Sequence, residues 1–137
     1  MVRPTVATVR LDALRHNVGA VRRLLGTAAG GPKLIAVVKA NAYGHGVAAA
    51  VAMADAGADL LACADIEEGV TLRQAGVTTP ILVFGALSVS DLYGLFDHGL
   101  TPTVSTPAAA IALEAAAAKR GVTLACHLKI DTGMNRL

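Results

Sequence analysis

Along most of the chain, short runs of consecutive apolar residues alternate with stretches in which apolar residues recur every three or four positions. The first pattern predicts buried β-strands and the second predicts helices. Strands are predicted at 5–11, 34–38, 60–64, 81–84, 100–105 and 123–130. Helices are predicted at about 11–26, 47–57, 65–76 and 107–121, with a further helix beginning at Ser88 or Asp91 and placing Leu92, Leu95 and Phe96 on one face.

Capping residues mark the ends of several predicted helices. Asp65, followed three positions later by Glu68, has the spacing of a capping box. Thr106 and Pro107 are typical of a helix start, and they open an Ala-rich stretch. Glycine follows the predicted helices at positions 26 and 121, where it can adopt the left-handed conformation that ends a helix.

Apart from the N-terminal strand, the predicted strands and helices alternate regularly, which indicates a repeated βα unit and a parallel sheet. The continuous apolar run at 34–38 favours a strand that is buried on both faces. Two architectures fit this pattern. One is a complete five-stranded doubly wound sheet. The other is part of a (β/α)8 barrel, which normally takes about 250 residues. The pattern alone does not separate them.

Composition removes several classes of function. The chain has 137 residues, of which 12 are basic and 10 acidic, and no basic run exceeds Arg22-Arg23, so no nucleic-acid partner is expected. No apolar stretch approaches the ~20 residues of a membrane span, and the N-terminus lacks an apolar signal core. Cys63 and Cys126 both lie in apolar runs, which predicts reduced core thiols and a cytoplasmic location.

The first candidate site is the segment Val-Lys-Ala-Asn-Ala-Tyr-Gly-His-Gly at 38–46, where Lys39 ends a predicted buried strand. Burial lowers the pKa of an amine, so a lysine in this position can act as a neutral nucleophile and form a Schiff base with a carbonyl cofactor. The phenol of Tyr43 can donate to a phosphate oxygen. Gly44 and Gly46 permit a tight turn into the next helix, whose N-terminus favours an anion.

The second candidate site is the segment at 127–137. If the strand continues through it, alternation places His127, Lys129 and Asp131 on one face and Leu128 and Ile130 on the other. In a half-exposed sheet the polar face would be solvated. In a barrel it could point into the lumen, where a lysine needs a partner or a modification.

Both segments resemble alanine racemase. The sequence at 38–46 resembles the cofactor-lysine segment of that family, and Lys-Ile-Asp-Thr-Gly-Met-Asn-Arg at 129–136 resembles a second family motif. The resemblance covers essentially the whole chain and favours the barrel. It implies that residues 1–137 form the N-terminal portion of an alanine-racemase-like (β/α)8 barrel, with about five of its eight strands and without the β-rich C-terminal domain.

The resemblance also implies site roles. Lys39 would bind pyridoxal 5′-phosphate covalently and then act as one of two acid/base groups, while Tyr43 would reach the cofactor phosphate. Arg136 would contact the phenolic oxygen of the cofactor and the carboxylate of the substrate, and Met134 would lie at the rim of the substrate pocket. Lys129 matches a lysine that is often carbamylated. His127 and Asp131 are interpreted as structural, and no metal is expected.

The implied activity is racemisation of L-alanine and D-alanine by a cytoplasmic homodimer that supplies D-alanine for peptidoglycan. The family's second base is a tyrosine from a later domain of the partner subunit, whereas this chain contains only Tyr43 and Tyr93, the latter in a helix-like stretch. The chain alone is therefore expected to be inactive. It is also expected to be poorly stable, because an open part-barrel would expose the edges of its first and last strands and leave its lumen uncovered. Alternatives are a broad-specificity racemase, a decarboxylase or a noncatalytic pyridoxal-phosphate-binding protein of the same fold type, and last a receiver-like signalling domain.

Overall fold

The structure is a computed structural model that describes residues 4–26, 31–85, 87 and 92–136. Helices and strands alternate along it. Their order is α1 (Leu11–Leu25), β1 (Ile35–Val37), α2 (Lys39–Tyr43), α3 (Val47–Asp55), β2 (Leu60–Cys63), α4 (Ile66–Gln74), β3 (Ile81–Val83), α5 (Tyr93–Asp97), β4 (Thr101–Val104), α6 (Pro107–Arg120) and β5 (His127–Leu128).

The described strands form one parallel sheet in the sequential order β1-β2-β3-β4-β5. Sequential order is the arrangement found in a (β/α)8 barrel. A doubly wound sheet places its first strand in the interior, because the chain winds outward from it in both directions. Here β1 and β5 lie at opposite edges of the sheet. The structure therefore has the strand arrangement of a partial barrel and excludes the doubly wound alternative.

The main core lies between the sheet and the helices. Leu61 pairs with Ile81 and Cys63 pairs with Val83 across β2 and β3, and these side chains are almost fully buried. They belong to a cluster that also contains Leu72 of α4, Leu95 of α5, and Leu100 just before β4. Aliphatic residues make up most of this layer, as expected for a chain with 3% aromatic residues.

The opposite face of the sheet is only partly covered. The register aligns Val37 with Ala62, Ala62 with Leu82, and Leu82 with Thr101, so these residues share that face. At its edge, Ile35 is 47% exposed and Val37 is 40% exposed. The expectation that β1 is buried on both faces is therefore wrong for the described residues. An edge strand has a neighbour on one side only, so this face of β1 lacks the cover that inner strands receive.

Local capping explains where the longer helices begin and end. A carboxylate oxygen of Asp65 accepts a hydrogen bond from the Glu68 backbone N–H at 2.8 Å, and α4 begins at the next residue after Asp65. The Thr106 hydroxyl accepts from the Ala109 N–H at 3.2 Å and begins α6, which ends at Gly121 with a φ of 65°. The predicted helix starts at Asp65 and Thr106 and the helix end at Gly121 are confirmed, whereas the Glu68 half of the predicted capping box does not form, because its carboxylate accepts from other N–H groups. The proposed helix starts at Ser88 and Asp91 lie outside the described residues.

Two strand predictions are wrong. Residues 4–10 have no regular secondary structure, and Val6 is 76% exposed, so the predicted strand at 5–11 does not form. The predicted strand at 123–130 is reduced to His127 and Leu128, which pair with the last two residues of β4. A strand forms only where another strand pairs with it, and an apolar run does not provide that partner.

The two cysteines lie in different environments. Cys63 is buried in β2, as predicted, whereas Cys126 is exposed just before β5, so the prediction of a core thiol is wrong for Cys126. Both are free thiols. Within the described ranges, no helix combines the length and the apolar character that crossing a membrane requires.

Candidate functional site

The candidate site lies at the carboxyl ends of the parallel strands, where α/β barrels hold their chemistry. Lys39 follows β1 after one intervening residue, Val38, and is half-buried. Its Nζ lies 5.6 Å from the centroid of the Phe84 ring, which follows the end of β3. An ammonium group at this distance from an aromatic face is attracted to the ring, and the ring also shields one side of the amine from water. Lys39 and Phe84 thus meet across the end of β2.

The backbone after Lys39 turns in the left-handed sense. Ala40, Asn41, Ala42 and Tyr43 all have φ between 52° and 54°. A left-handed conformation costs a residue with a Cβ atom about 1–2 kcal/mol, so such a run persists only where its surroundings enforce it. We call residues 39–43 the lysine turn. Asn41 is of a residue type that adopts this conformation more readily than most, but the two alanines and Tyr43 give no indication of it, and the sequence predicts a tight turn only at the following glycines.

Backbone hydrogen bonds hold the lysine turn at both ends. The Ala42 N–H donates to the Val38 carbonyl at 2.8 Å, and the Gly44 N–H donates to the Ala40 carbonyl at 3.0 Å. Ala42 is 4% exposed, so its methyl group is packed into the core. Gly44 continues the left-handed path with a φ of 82° and leads the chain towards α3. The turn is therefore a fixed structure that presents Lys39 and Tyr43 at its two ends.

A second contact to the lysine turn comes from α4. The half-buried carboxylate of Glu68 accepts a hydrogen bond from the Ala64 N–H at 2.8 Å through one oxygen and a short hydrogen bond from the Ala40 N–H through the other. Sequence reasoning assigned Glu68 to a capping box with Asp65. The Asp65 half of that box forms, but the Glu68 side chain bonds elsewhere. Glu68 and Phe84 are the site-adjacent residues that sequence reasoning missed.

The remaining residues of the lysine segment have simpler environments. Tyr43 is 59% exposed, so its phenol is open to solvent at the edge of the site. The Nδ1 atom of His45 lies 2.9 Å from the Ala42 carbonyl, a contact within the turn that occupies one ring nitrogen. His45 thus has a structural contact at the entry to α3.

The segment after β5 forms a compact polar loop. One carboxylate oxygen of Asp131 accepts hydrogen bonds from the backbone N–H groups of Asn135 and Gly133, each at 3.0 Å. These bonds hold the pKa of the Asp131 carboxyl below its usual value, because they favour the charged form. Met134 is 77% exposed and Arg136 is also exposed. Asp131 therefore shapes the loop that carries both predicted substrate-binding residues.

The two candidate segments occupy opposite edges of the described sheet. Lys39 follows β1, whereas Lys129 follows β5 and continues its pairing by donating its backbone N–H to the Val104 carbonyl at 2.8 Å. Four strand spacings separate β1 from β5, which is half the circumference of an eight-stranded barrel. In a closed barrel the two segments would face each other across the lumen. The open sheet places Lys39 and Arg136 at the same end without bringing them into contact.

The chemistry of these groups fits an anionic aldehyde cofactor. Lys39 offers a primary amine in a half-buried position against an aromatic ring, which suits covalent attachment of a carbonyl group. Tyr43, on the same turn, offers a hydroxyl that can donate to a phosphate. Within the described residues, no cluster of His, Cys, Asp and Glu could hold a metal ion.

Comparisons with known proteins identify one family. Residues 9–137 match the family model described as alanine racemase, N-terminal domain. Among curated proteins, an alanine racemase from Halothermothrix orenii is 43% identical over 138 residues, which cover 100% of this chain and 36% of that protein. An alanine racemase from Synechocystis is 44% identical and covers 96% of this chain and 36% of that protein.

A solved structure shares the fold. The alanine racemase of Clostridium difficile 630 superimposes with a TM-score of 0.84 at 36% identity, over 93% of this chain and 34% of that one. The chain thus spans about a third of the length of the relatives it matches.

Proposed function

The chain belongs to the alanine racemase family, and from that premise we propose that it carries the cofactor lysine of an enzyme that interconverts L-alanine and D-alanine with pyridoxal 5′-phosphate. The observation that carries this proposal is the position of Lys39. Its amine lies at the carboxyl end of a parallel strand, against the Phe84 ring, at the head of a fixed left-handed turn.

In this proposal, bound pyridoxal phosphate supplies electron withdrawal, which acidifies the α-hydrogen of an attached amino acid. Lys39 would hold the cofactor through its amine and, as a free amine, would move a proton to or from the α-carbon on one face. The Tyr43 phenol would donate a hydrogen bond to the phosphate. The half-buried position of Lys39 limits the access of water to its amine.

The loop after β5 would bind the substrate. Arg136 would supply a guanidinium for the substrate carboxylate and the cofactor phenolic oxygen, and Met134 would lie at the rim of the substrate pocket. Carbamylation of Lys129 would convert its ammonium into an anion able to form a charge-assisted hydrogen bond with Arg136. The backbone N–H groups of Gly133 and Asn135 donate hydrogen bonds to Asp131 and thereby fix the backbone on both sides of Met134. This fixed backbone supports the proposal that the loop binds the substrate.

Racemisation also needs a proton donor on the opposite face of the substrate, and we propose that a tyrosine of a partner subunit supplies it in a homodimer. Tyr93 does not fill this role, because it lies on α5 with its ring 5.2 Å from the Arg120 guanidinium carbon. The 137-residue chain alone would then be inactive. The full-length enzyme would act in the cytoplasm and supply D-alanine for peptidoglycan.

The test is Lys39→Ala in the full-length protein, with Lys33→Ala as the matched control. Lys33 is exposed just before β1, so its removal changes the charge equally and leaves the lysine turn intact. We expect Lys39→Ala to abolish the visible absorbance of lysine-linked pyridoxal phosphate and to lower alanine racemisation by more than about a hundredfold. The control should retain both. Persistence of the absorbance in Lys39→Ala would show that another residue binds the cofactor.

A further inference from the structure

The Glu68 side chain accepts two hydrogen bonds that the helix it belongs to does not require. The cap of α4 is the bond from the Glu68 backbone N–H to Asp65, so the Glu68 carboxylate is not needed to begin that helix. In a capping box this carboxylate would return to the N–H of the capping residue. Instead its two oxygens accept hydrogen bonds from Ala40, in the lysine turn, and Ala64, directly after β2.

The hydrogen bond from the Ala40 N–H to Glu68 lies next to Lys39. Ala40 is the residue after Lys39 and the first in the left-handed run. A carboxylate that accepts from the Ala40 N–H fixes the plane of the peptide bond between Lys39 and Ala40. The other oxygen, through Ala64, connects that peptide to the end of the neighbouring strand. The Lys39 backbone is thereby held in place relative to two strands of the sheet.

Side-chain packing between the lysine turn and α4 is incomplete, so it does not fully replace the hydrogen bonds made by Glu68. A cavity of about 290 Å³ lies between the lysine turn and α4, and its lining includes Ala42, Val47, Glu68 and Leu72. The empty space limits the van der Waals contacts that hold the turn against α4. Hydrogen bonds to a charged acceptor are about twice as strong as neutral ones, so the Glu68 bonds are well suited to bridge this gap.

We propose that Glu68 is a positioning residue for Lys39: its carboxylate holds the strained lysine turn so that the amine is presented to the cofactor and the substrate in one geometry. The inference rests on the proposed function of Lys39. Glutamine cannot substitute fully, because its amide has a single acceptor oxygen and its NH2 group would face one of the two N–H donors.

The experiment compares Glu68→Gln with Glu67→Gln in the full-length protein. Glu67 is the exposed neighbour in the same helical turn, so both variants lose one negative charge from α4. The first readout is hydrogen exchange of the Ala40 amide without cofactor. We expect Glu68→Gln to accelerate it by about tenfold to a hundredfold, the effect of losing a hydrogen bond to a charged group, and Glu67→Gln to leave it unchanged.

The second readout concerns catalysis. Misplacement of a reacting group lowers the rate of the chemical step more than it lowers the affinity for the substrate. We therefore expect Glu68→Gln to decrease kcat by about tenfold or more, with a change of less than about twofold in the KM for alanine. The rate at which pyridoxal phosphate becomes linked to Lys39, trapped by borohydride, should fall in parallel.

Two results would overturn the inference. One is an unchanged Ala40 exchange rate in Glu68→Gln. The other is faster exchange with kcat and the linking rate at wild-type values, since Glu68 would then stabilise the turn without positioning the amine. Absence of cofactor linkage to Lys39 in the wild type would instead contradict the proposed function, and the Ala40 amide would still report on the bonds made by Glu68.

Discussion

Cys63 and Cys126 differ in solvent exposure, since Cys63 is buried and Cys126 is exposed. Cys63 is fully buried, and its Sγ lies 3.3 Å from the Asp65 carbonyl oxygen and 3.7 Å from that of Leu82. Burial raises the pKa of the Cys63 thiol to about 12, and the charges of Glu68 and Asp65 add to the effect. Because only the thiolate is reactive, Cys63 should be inert in the folded protein.

The native chain should therefore react with Ellman's reagent at Cys126 at pH 8, whereas Cys63 should react only when the chain unfolds. Cys126→Ser is the control and should remove the fast phase. Because the Cys63 pKa is raised on folding, its contribution to stability is complete below the unfolded value of about 9 and is lost as pH rises towards 12. Rapid labelling of Cys63 in the native Cys126→Ser protein would contradict its burial.

The residue types at 38–46 indicate a candidate site but not its backbone conformation. A lysine at the end of an apolar run is by itself more often an ordinary surface residue. Lys39 and Tyr43 are assigned because the whole segment resembles the cofactor-lysine segment of the alanine racemase family. The left-handed conformation of Ala40 and Ala42 was not recognisable, since alanine carries no preference for it. In our proposal this conformation depends on contacts such as the hydrogen bond that the Ala40 N–H donates to the Glu68 carboxylate, which joins positions far apart in the sequence.

At the scale of elements, the carboxyl ends of β2 and β3 approach each other too closely for a side chain. The Gly85 N–H donates to the Ala64 carbonyl at 3.0 Å, and a Cβ atom added to Gly85 would lie 2.2 Å from that carbonyl oxygen. Backbone atoms cannot rotate away as side chains do. The close approach also fixes Ala64, whose N–H is bonded to Glu68.

Gly85→Ala should therefore lower the free energy of unfolding by about 1–3 kcal/mol, as overpacking usually does. Gly19→Ala is the control, because an added Cβ would meet only the Arg23 side chain at 3.5 Å, and alanine should stabilise the interior of α1 by roughly 0.5–1 kcal/mol. Urea unfolding of the full-length proteins gives both values. A Gly85→Ala protein as stable as the wild type would show that β2 and β3 are less closely spaced.

Helices were easier to predict than strands because their determinants are local. Asp65 and Thr106 each cap a helix through a residue three positions later, a contact that the sequence displays directly. The strand predicted at 123–130 failed over most of its length because strand pairing depends on a partner that is distant in the sequence. Among the described residues, β5 pairs with β4 only at Thr103 and Val104.

At the scale of the whole molecule, the strand order decides the architecture. Regular alternation of strands and helices fits a doubly wound sheet and a barrel equally well, because the two differ only in which strands are neighbours. The sequential order from β1 to β5 selects the barrel. Exposed Ile35 at one edge, with Leu128 and Ile130 at the other, fits a sheet whose faces and edges need further strands for cover.

The central claim is that Lys39 is the residue that binds pyridoxal phosphate, and peptide mapping tests it most directly. The full-length protein is incubated with pyridoxal phosphate, reduced with borohydride and digested, and the modified peptide is identified by mass spectrometry. We predict a single dominant phosphopyridoxyl group on Lys39. Modification of Lys33, Lys119 or Lys129 in its place, or no stable modification, would contradict the account.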